Sequence, residues 1–172
     1  MSTKAEETIQ DLYKVEGKAE LVNGEIIRMS PTGHEPGYAG DEIFVSLREH
    51  GRRTGSGLAV SDNKAFLCNL LHRKSFSPDA AFYTGRPGGM KFFPDVPVFA
   101  VEVRSEGDYG KRADYFAAGT KVMWDVDLLS EYTIKSYSAS APNAPRIFRR
   151  GEAADAEPAV PGWTTRVDDL FA

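Results

Sequence analysis

The chain has little of what would mark a secreted, membrane-bound or cysteine-built protein. Cys68 is its only cysteine, so no intramolecular disulfide and no cysteine-based zinc cluster can form. Its three histidines, His34, His50 and His72, are scattered with no metal-ligand spacing, and each is expected at the surface. No apolar run approaches the roughly 20 residues of a membrane-spanning helix, and "MSTKAEETIQDLY" has no apolar h-region. These absences predict a cytoplasmic protein without membrane association. An excess of basic residues is also missing. The net charge is −4, which does not advertise a general nucleic-acid binder. It leaves room for acids gathered around a metal and a local basic face for phosphates.

What is present is an ordinary globular composition over 172 residues, enough for a single domain, 1–172, with one sizeable core. Thr3 to Tyr13 reads as a short helix with a Thr3/Glu6 capping box. "KAELVNGEIIRM" reads as an N-terminal β-hairpin, because Asn23-Gly24 separates two strand-like runs. Tyr38 to His50 carries Ile43, Phe44 and Leu47 on one helical face, with Gly51 as its C-cap. Strands are predicted at Leu58–Leu67, Phe76–Tyr83 and Pro97–Arg104, then a short helix in "KRADYFAAG" and strands in "KVMWDVD" and "YTIKSYS". "RIFRR" is a candidate last β element, and Trp163, Leu170 and Phe171 are expected to dock the tail. The order predicts a mixed α/β (α+β) fold, a central mixed sheet flanked by helices. Residues 98–126 suit a parallel strand–helix–strand crossover.

The strand "PVFAVEVR" carries two charges. Alternation puts Phe99, Val101 and Val103 on one face and Val98, Ala100, Glu102 and Arg104 on the other. A carboxylate in a sheet costs several kcal/mol unless something pairs it. Asp79 follows Pro78 in an earlier strand-like run, and proline there marks an edge, a strand start or a bulge. Asp79 and Glu102 on adjacent strands would repel unless a proton or a cation lay between them. A hard divalent ion suits two carboxylates plus a substrate phosphate.

Pro78-Asp79 followed by Glu102-Val103-Arg104 resembles the signature of the PD-(D/E)XK nuclease superfamily. The wider chain resembles its Uma-type, restriction-endonuclease-like family. The matching pieces are "AELVNGEIIRMSPTG", "SPDAAF", "FAVEVRSEGD", "YFAAGTKVMWDVD" and "PAVPGW". The resemblance implies a restriction-endonuclease-like fold and metal-dependent hydrolysis of DNA phosphodiester bonds. It implies Mg²⁺ or Mn²⁺ held by Asp79 and Glu102, with Glu20 beside the metal. The expected partner is nucleic acid, DNA in the first place, and a homodimer would let each subunit cut one strand. Arg104 stands at the family's lysine position, where it can face the phosphate but cannot act as a general base. The link before Lys111 is shorter than in relatives, which leaves Lys111 open as a replacement for the lysine. Pro36, with His34 nearby, stands where relatives often carry a histidine, and the resemblance assigns a role to neither. Arg48, Arg52, Arg53, Lys64, Arg73 and Lys74 are candidate contacts to the nucleic-acid backbone.

Other readings use the same residues. Glu102 and Arg104 could be a same-face ion pair, and Glu20 could pair across an exposed hairpin. Asp125 and Asp127 are expected to face solvent, and Tyr115 to be core. A nuclease fold that no longer cuts would serve as a nucleic-acid-binding or protein-interaction module. A carboxylate-pair glycosidase accounts for neither the strand face nor the resemblance.

Overall fold

The computed structural model describes residues 3–104 and 110–171. In chain order these form α1 (Ile9–Leu12), β1 (Ala19–Val22), β2 (Glu25–Arg28), α2 (His34–Thr54), β3 (Leu58–Val60), β4 (Phe66–Leu67), β5 (Ser75–Phe76), β6 (Ala80–Tyr83), β7 (Phe99–Arg104), α3 (Lys111–Ala118), β8 (Val122–Asp127), β9 (Thr133–Ser138), β10 (Ala141–Phe148), β11 (Ala153–Asp155), β12 (Thr164–Arg166) and a 3₁₀ turn at Val167–Leu170. The link before Lys111 lies outside the described residues.

A six-stranded mixed sheet of order β10-β9-β8-β7-β6-β3 forms the centre. Only β7 and β8 run parallel, joined through α3, as the crossover reading required. Alternation along β7 divides two layers. Phe99, Val101 and Val103 join Ile43 and Leu47 of α2 with Trp124, Trp163 and Leu170 in the main core. Ala100 faces the other way, against Phe76, Met123, Tyr137 and Tyr115 of α3. Trp163 and Leu170 are buried there, and Phe171 packs against the same core, so the tail docks as expected.

The N-terminal hairpin forms as its sequence predicts. Asn23 and Gly24 both have positive φ, 52° and 71°, the left-handed pair that a tight two-residue turn needs. Its tip is tied to two other segments, by Glu7 N–H donating to the Gly24 carbonyl and Asn23 N–H to the His72 carbonyl.

Several boundaries moved for identifiable reasons. The first helix is only Ile9–Leu12, boxed by Thr8 and Asp11 instead of Thr3 and Glu6. The preceding residues serve the hairpin, where the Glu7 carboxylate accepts the Ile26 N–H at 2.6 Å. The second helix is longer than expected and begins at His34. Pro36 is tolerated because the first turn has no intrahelical use for its missing N–H. Gly51 lies inside this helix, and Gly55, at φ 67°, is the true cap. The strand expected at Leu58–Leu67 breaks into β3 and β4. The one at Phe76–Tyr83 breaks around Pro78 into β5 and β6, which belong to different sheets.

Candidate active site

Strand β1 places Lys18, just ahead of it, and Glu20 on one side by alternation, and both enter a groove of about 740 Å³. The loop into α2 and the helix's first turn, through Thr32, Gly33 and Pro36, line the same groove. Hairpin β1–β2 is held against β5, with Leu21 N–H donating to Ser75 Oγ at 2.9 Å and Lys74 N–H to the Leu21 carbonyl.

Glu20 is 1% exposed, which corrects the exposed-hairpin alternative. Its Oε2 accepts from Arg73 Nη1 at 2.7 Å, and its Oε1 from the Ser77 N–H at 2.9 Å. Lys111 Nζ lies 2.8 Å from the same Oε1. Arg73 is itself buried and donates through Nε to Asp114 of α3 at 2.8 Å. Burial opposes the charge on Arg73, but Asp114 and Glu20 outweigh it and raise its pKa. Arg73 therefore joins the hairpin to α3 from within the groove wall, its guanidinium taken up by Glu20 and Asp114.

Asp79 and Glu102 come to the same groove from neighbouring strands. β6 and β7 pair antiparallel through Ala81↔Ala100 and Ala80↔Val101, so Asp79 stands one step further on, opposite Glu102. Opposed residues of an antiparallel pair share a face. Asp79 Oδ2 accepts the Val103 N–H at 2.6 Å, and its Oδ1 accepts from Lys18 Nζ at 2.7 Å. Glu102 Oε1 accepts from the Tyr115 hydroxyl at 2.7 Å and lies 3.6 Å from Lys111 Nζ. Burial pushes the Glu102 carboxyl up to about 7; Lys111 opposes this, and Asp79 and Glu20 add to it. Burial also works against the charge of Lys111, but Glu102 and Glu20 outweigh it and raise its pKa. Lys111 opens α3, an end where a cation is disfavoured by the helix dipole. The two glutamates make that position tenable.

Arg104 goes elsewhere. It lies on the sheet face of Glu102, yet it forms a two-point ion pair with Asp125, Nε to Oδ1 at 3.2 Å and Nη2 to Oδ2 at 3.1 Å. The alternative of a Glu102–Arg104 ion pair is thus replaced by Glu102–Lys111 and Arg104–Asp125. Asp125 and Asp127 were expected in solvent, but Asp127 is buried and accepts from the Leu129 and Ser130 N–H groups and the Ser130 hydroxyl. His50, expected at the surface, is buried against Phe82. His34 lines a separate cavity, while Pro36 lines the groove. Arg48, Arg52 and Arg53 lie far along α2 from Pro36, about 18 Å or more at 1.5 Å per residue. Lys64 donates to Ser61 Oγ and the Asp62 carbonyl, and Lys74 to Asn69 Oδ1 and the Leu70 carbonyl.

Sequence reasoning missed Lys18, Asp62 and the hydroxyl of Tyr115. Two signals were available: Lys18 shares the alternation of Glu20, and Tyr115 lies four residues after Lys111, one helical turn on the same face.

The sequence model described as "Uma2: Putative restriction endonuclease" matches residues 6–168. The chain belongs to the Uma2 family. No curated protein matches it. Among solved structures, the Uma2 chain is similar to a crystal structure described as "a putative nuclease belonging to DUF820" from Anabaena variabilis. The TM-score is 0.71 at 16% identity, covering 95% of this chain and 97% of that one. At that identity the likeness shows a shared fold.

The donor set of this Uma2 protein can be tested against the divalent ion that its family implies. Among the described residues no three His, Cys, Asp or Glu side chains gather closely enough to cage a metal. Glu20 is 1% exposed, and its two oxygens are held by two cations, the buried Arg73 and Lys111, besides the Ser77 N–H, so a metal there would have to displace both and Glu20 does not fit as a ligand. Asp79 also has a donor on each oxygen, but only one of them, Lys18, is a cation. Asp79 and Glu102 do fit: two carboxylates on one face of a polar groove, each already facing an ammonium group. Mg²⁺ is commonly held by one or two carboxylates plus substrate phosphates and water.

Proposed function

We propose that this protein is a metal-dependent nuclease that hydrolyses DNA phosphodiester bonds in the groove between the β1–β2 hairpin and the end of β7. The observation that carries this reading is the pairing of Asp79 and Glu102 on one face, flanked by Lys18 and Lys111, with the Glu102 carboxyl raised to about 7. Strongly perturbed carboxyls with named charge partners in a cleft are a signature of functional sites. Membership of the Uma2 family supports the same chemistry.

In this reading Asp79 and Glu102 hold Mg²⁺ or Mn²⁺. Such an ion lowers the pKa of a bound water and neutralises charge on a phosphate. The chain's own residues do the rest. Lys111, kept cationic by Glu102 and Glu20, faces the phosphate and stabilises the negative charge that builds in the transition state. It takes over the role that the sequence pattern assigns to position 104. Glu20 is a positioning residue, which aims Lys111 while Arg73 and the Ser77 N–H hold its carboxylate. The Tyr115 hydroxyl fixes the rotamer of Glu102.

The test is nicking of supercoiled DNA with Mg²⁺, with Mn²⁺ and with EDTA, beside Asp79→Ala and Glu102→Ala, and with single-stranded DNA and RNA as parallel substrates. Cation-dependent nicking abolished in both variants is expected. DNA bound but never cut would favour the non-cutting module instead, and RNA cut in preference to DNA would change the substrate.

A further inference from the structure

Each proposed ligand carboxylate shares its lysine with a second carboxylate that is not a proposed ligand. Lys111 sits between Glu102 and Glu20, at 3.6 and 2.8 Å. Lys18 sits between Asp79 and Asp62, at 2.7 and 2.8 Å. Lys18 is 12% exposed. Burial works against its charge, but Asp79 and Asp62 outweigh that and raise its pKa. Asp62 has its own supports: its Oδ1 accepts the Asn63 N–H at 2.7 Å and its Oδ2 the Thr32 hydroxyl at 3.2 Å. It therefore stays in place whether or not Asp79 keeps the lysine.

An ammonium group and a divalent cation cannot both contact the same carboxylate oxygen without strong mutual repulsion. Lys18 must leave Asp79 Oδ1 when that oxygen takes a metal, and Asp62 is the anchor it falls back on. We propose that Lys18 is an exchangeable counter-ion of the site and a further catalytic residue. It neutralises Asp79 in the metal-free protein and yields that carboxylate to a divalent cation. Asp62 then retains it in the groove, where its ammonium donates to a phosphate oxygen. This rests on the proposed nuclease reading. It gives the site two cations on separate elements, Lys111 opening α3 and Lys18 ahead of β1.

The test compares Mn²⁺ binding by calorimetry, without nucleic acid, with nicking at saturating Mn²⁺, for wild type, Lys18→Met, Lys18→Arg and Asp62→Asn. Lys18→Met is expected to bind Mn²⁺ about tenfold more tightly, since no ammonium competes. It is expected to nick at least about tenfold more slowly, having lost a donor to the transition state. Lys18→Arg should recover most of the nicking. Asp62→Asn should bind Mn²⁺ more weakly, because Lys18 then has only Asp79. A residue with a merely structural role would lower both properties, so tighter binding with slower cutting is the diagnostic pair. Unchanged or weaker Mn²⁺ affinity in a folded Lys18→Met protein overturns the inference and leaves the nuclease reading intact. If Lys18→Met does not fold, Asp62→Asn decides, and affinity equal to or tighter than wild type overturns the inference. A wild type that binds no Mn²⁺ overturns both.

Discussion

At the scale of single residues, the decisive feature of the proposed site is that Lys111, and not Arg104, lies beside Glu102. The pattern Glu-X-Lys on one strand would put carboxylate and cation side by side, and here the lysine position holds arginine. A guanidinium matches a carboxylate in two-point geometry, and Asp125 takes it at 3.2 and 3.1 Å. An ammonium is a compact point charge that can sit between two carboxylates, as Lys111 does. Lys111→Ala is therefore expected to lower nicking by about 100-fold or more, the usual cost of losing one transition-state donor. Arg104→Ala should nick within about tenfold of wild type while losing thermal stability; cleavage kinetics and thermal melts of both variants check this. Arg73 makes a different point. Removing one partner of a buried charge network costs about 3–5 kcal/mol because the others are left unpaired, and Glu20 and Asp114 both depend on it. Arg73→Met should lower Tm by about 10 °C in a chain of this size, read by differential scanning calorimetry.

Among elements, α2 shows why local pattern and tertiary packing part company. A glycine near the end of an apolar helical stripe, such as Gly51, reads as a C-cap. In the fold a Cβ at Gly51 would lie 2.8 Å from the Gly57 carbonyl oxygen and 3.2 Å from the Phe82 ring. The glycine is there for close approach, and the left-handed cap comes four residues later at Gly55, whose surroundings are open. Gly55→Ala is expected to cost about 1 kcal/mol for the left-handed backbone alone. Gly51→Ala should cost more, about 2–3 kcal/mol, because backbone and ring must both shift; urea denaturation of the two variants ranks them. The β1–β2 hairpin, the β7–α3–β8 crossover and the two faces of β7 were legible because each rests on short-range chemistry or alternation. The partners of Glu20, Arg104 and Lys18 were not, because they are set by contacts between residues 21 to 91 positions apart. Family resemblance supplied Asp79 and Glu102, and alternation alone made them compatible.

For the whole molecule, the site is a place where folding and the proposed chemistry pull apart. Among the described residues no helix is long and apolar enough to cross a membrane, and the core lies on both faces of the central sheet, yet its inner strands β6 and β7 bring the half-buried carboxylates of Asp79 and Glu102 together at one end. Glu102 has its carboxyl raised from an ordinary 4.5 to about 7. Between those values the folded state binds more protons than the unfolded chain, so this group's contribution to stability is present below the lower value and lost as pH rises through the upper one. In EDTA, Glu102→Gln should therefore gain in Tm relative to wild type as pH goes from about 5 to about 8. Thermal melts at a series of pH values measure it, and a difference that shrinks with rising pH would contradict the assignment. Divalent cation should raise the wild-type Tm in a concentration-dependent way, as any ligand of the folded state does, with no such rise for Asp79→Ala.

The chain has two tryptophans, and both sit in one spot. Trp124 of β8 and Trp163 of the C-terminal tail have ring centroids 5.1 Å apart, and both rings lie against Phe99. Their shared emission and near-ultraviolet dichroism therefore form an optical gauge of tail docking on the main core. The hairpin that carries Lys18 and Glu20 has a separate chromophore nearby, Tyr13, stacked on Phe92 at 3.9 Å. Tyr13 is one of seven tyrosines, so the difference between wild type and Tyr13→Phe is what isolates its signal from that of the other six. Coincident tryptophan and Tyr13 transitions would mean that the groove dissolves together with the core, and an earlier Tyr13 transition would mean that it opens first.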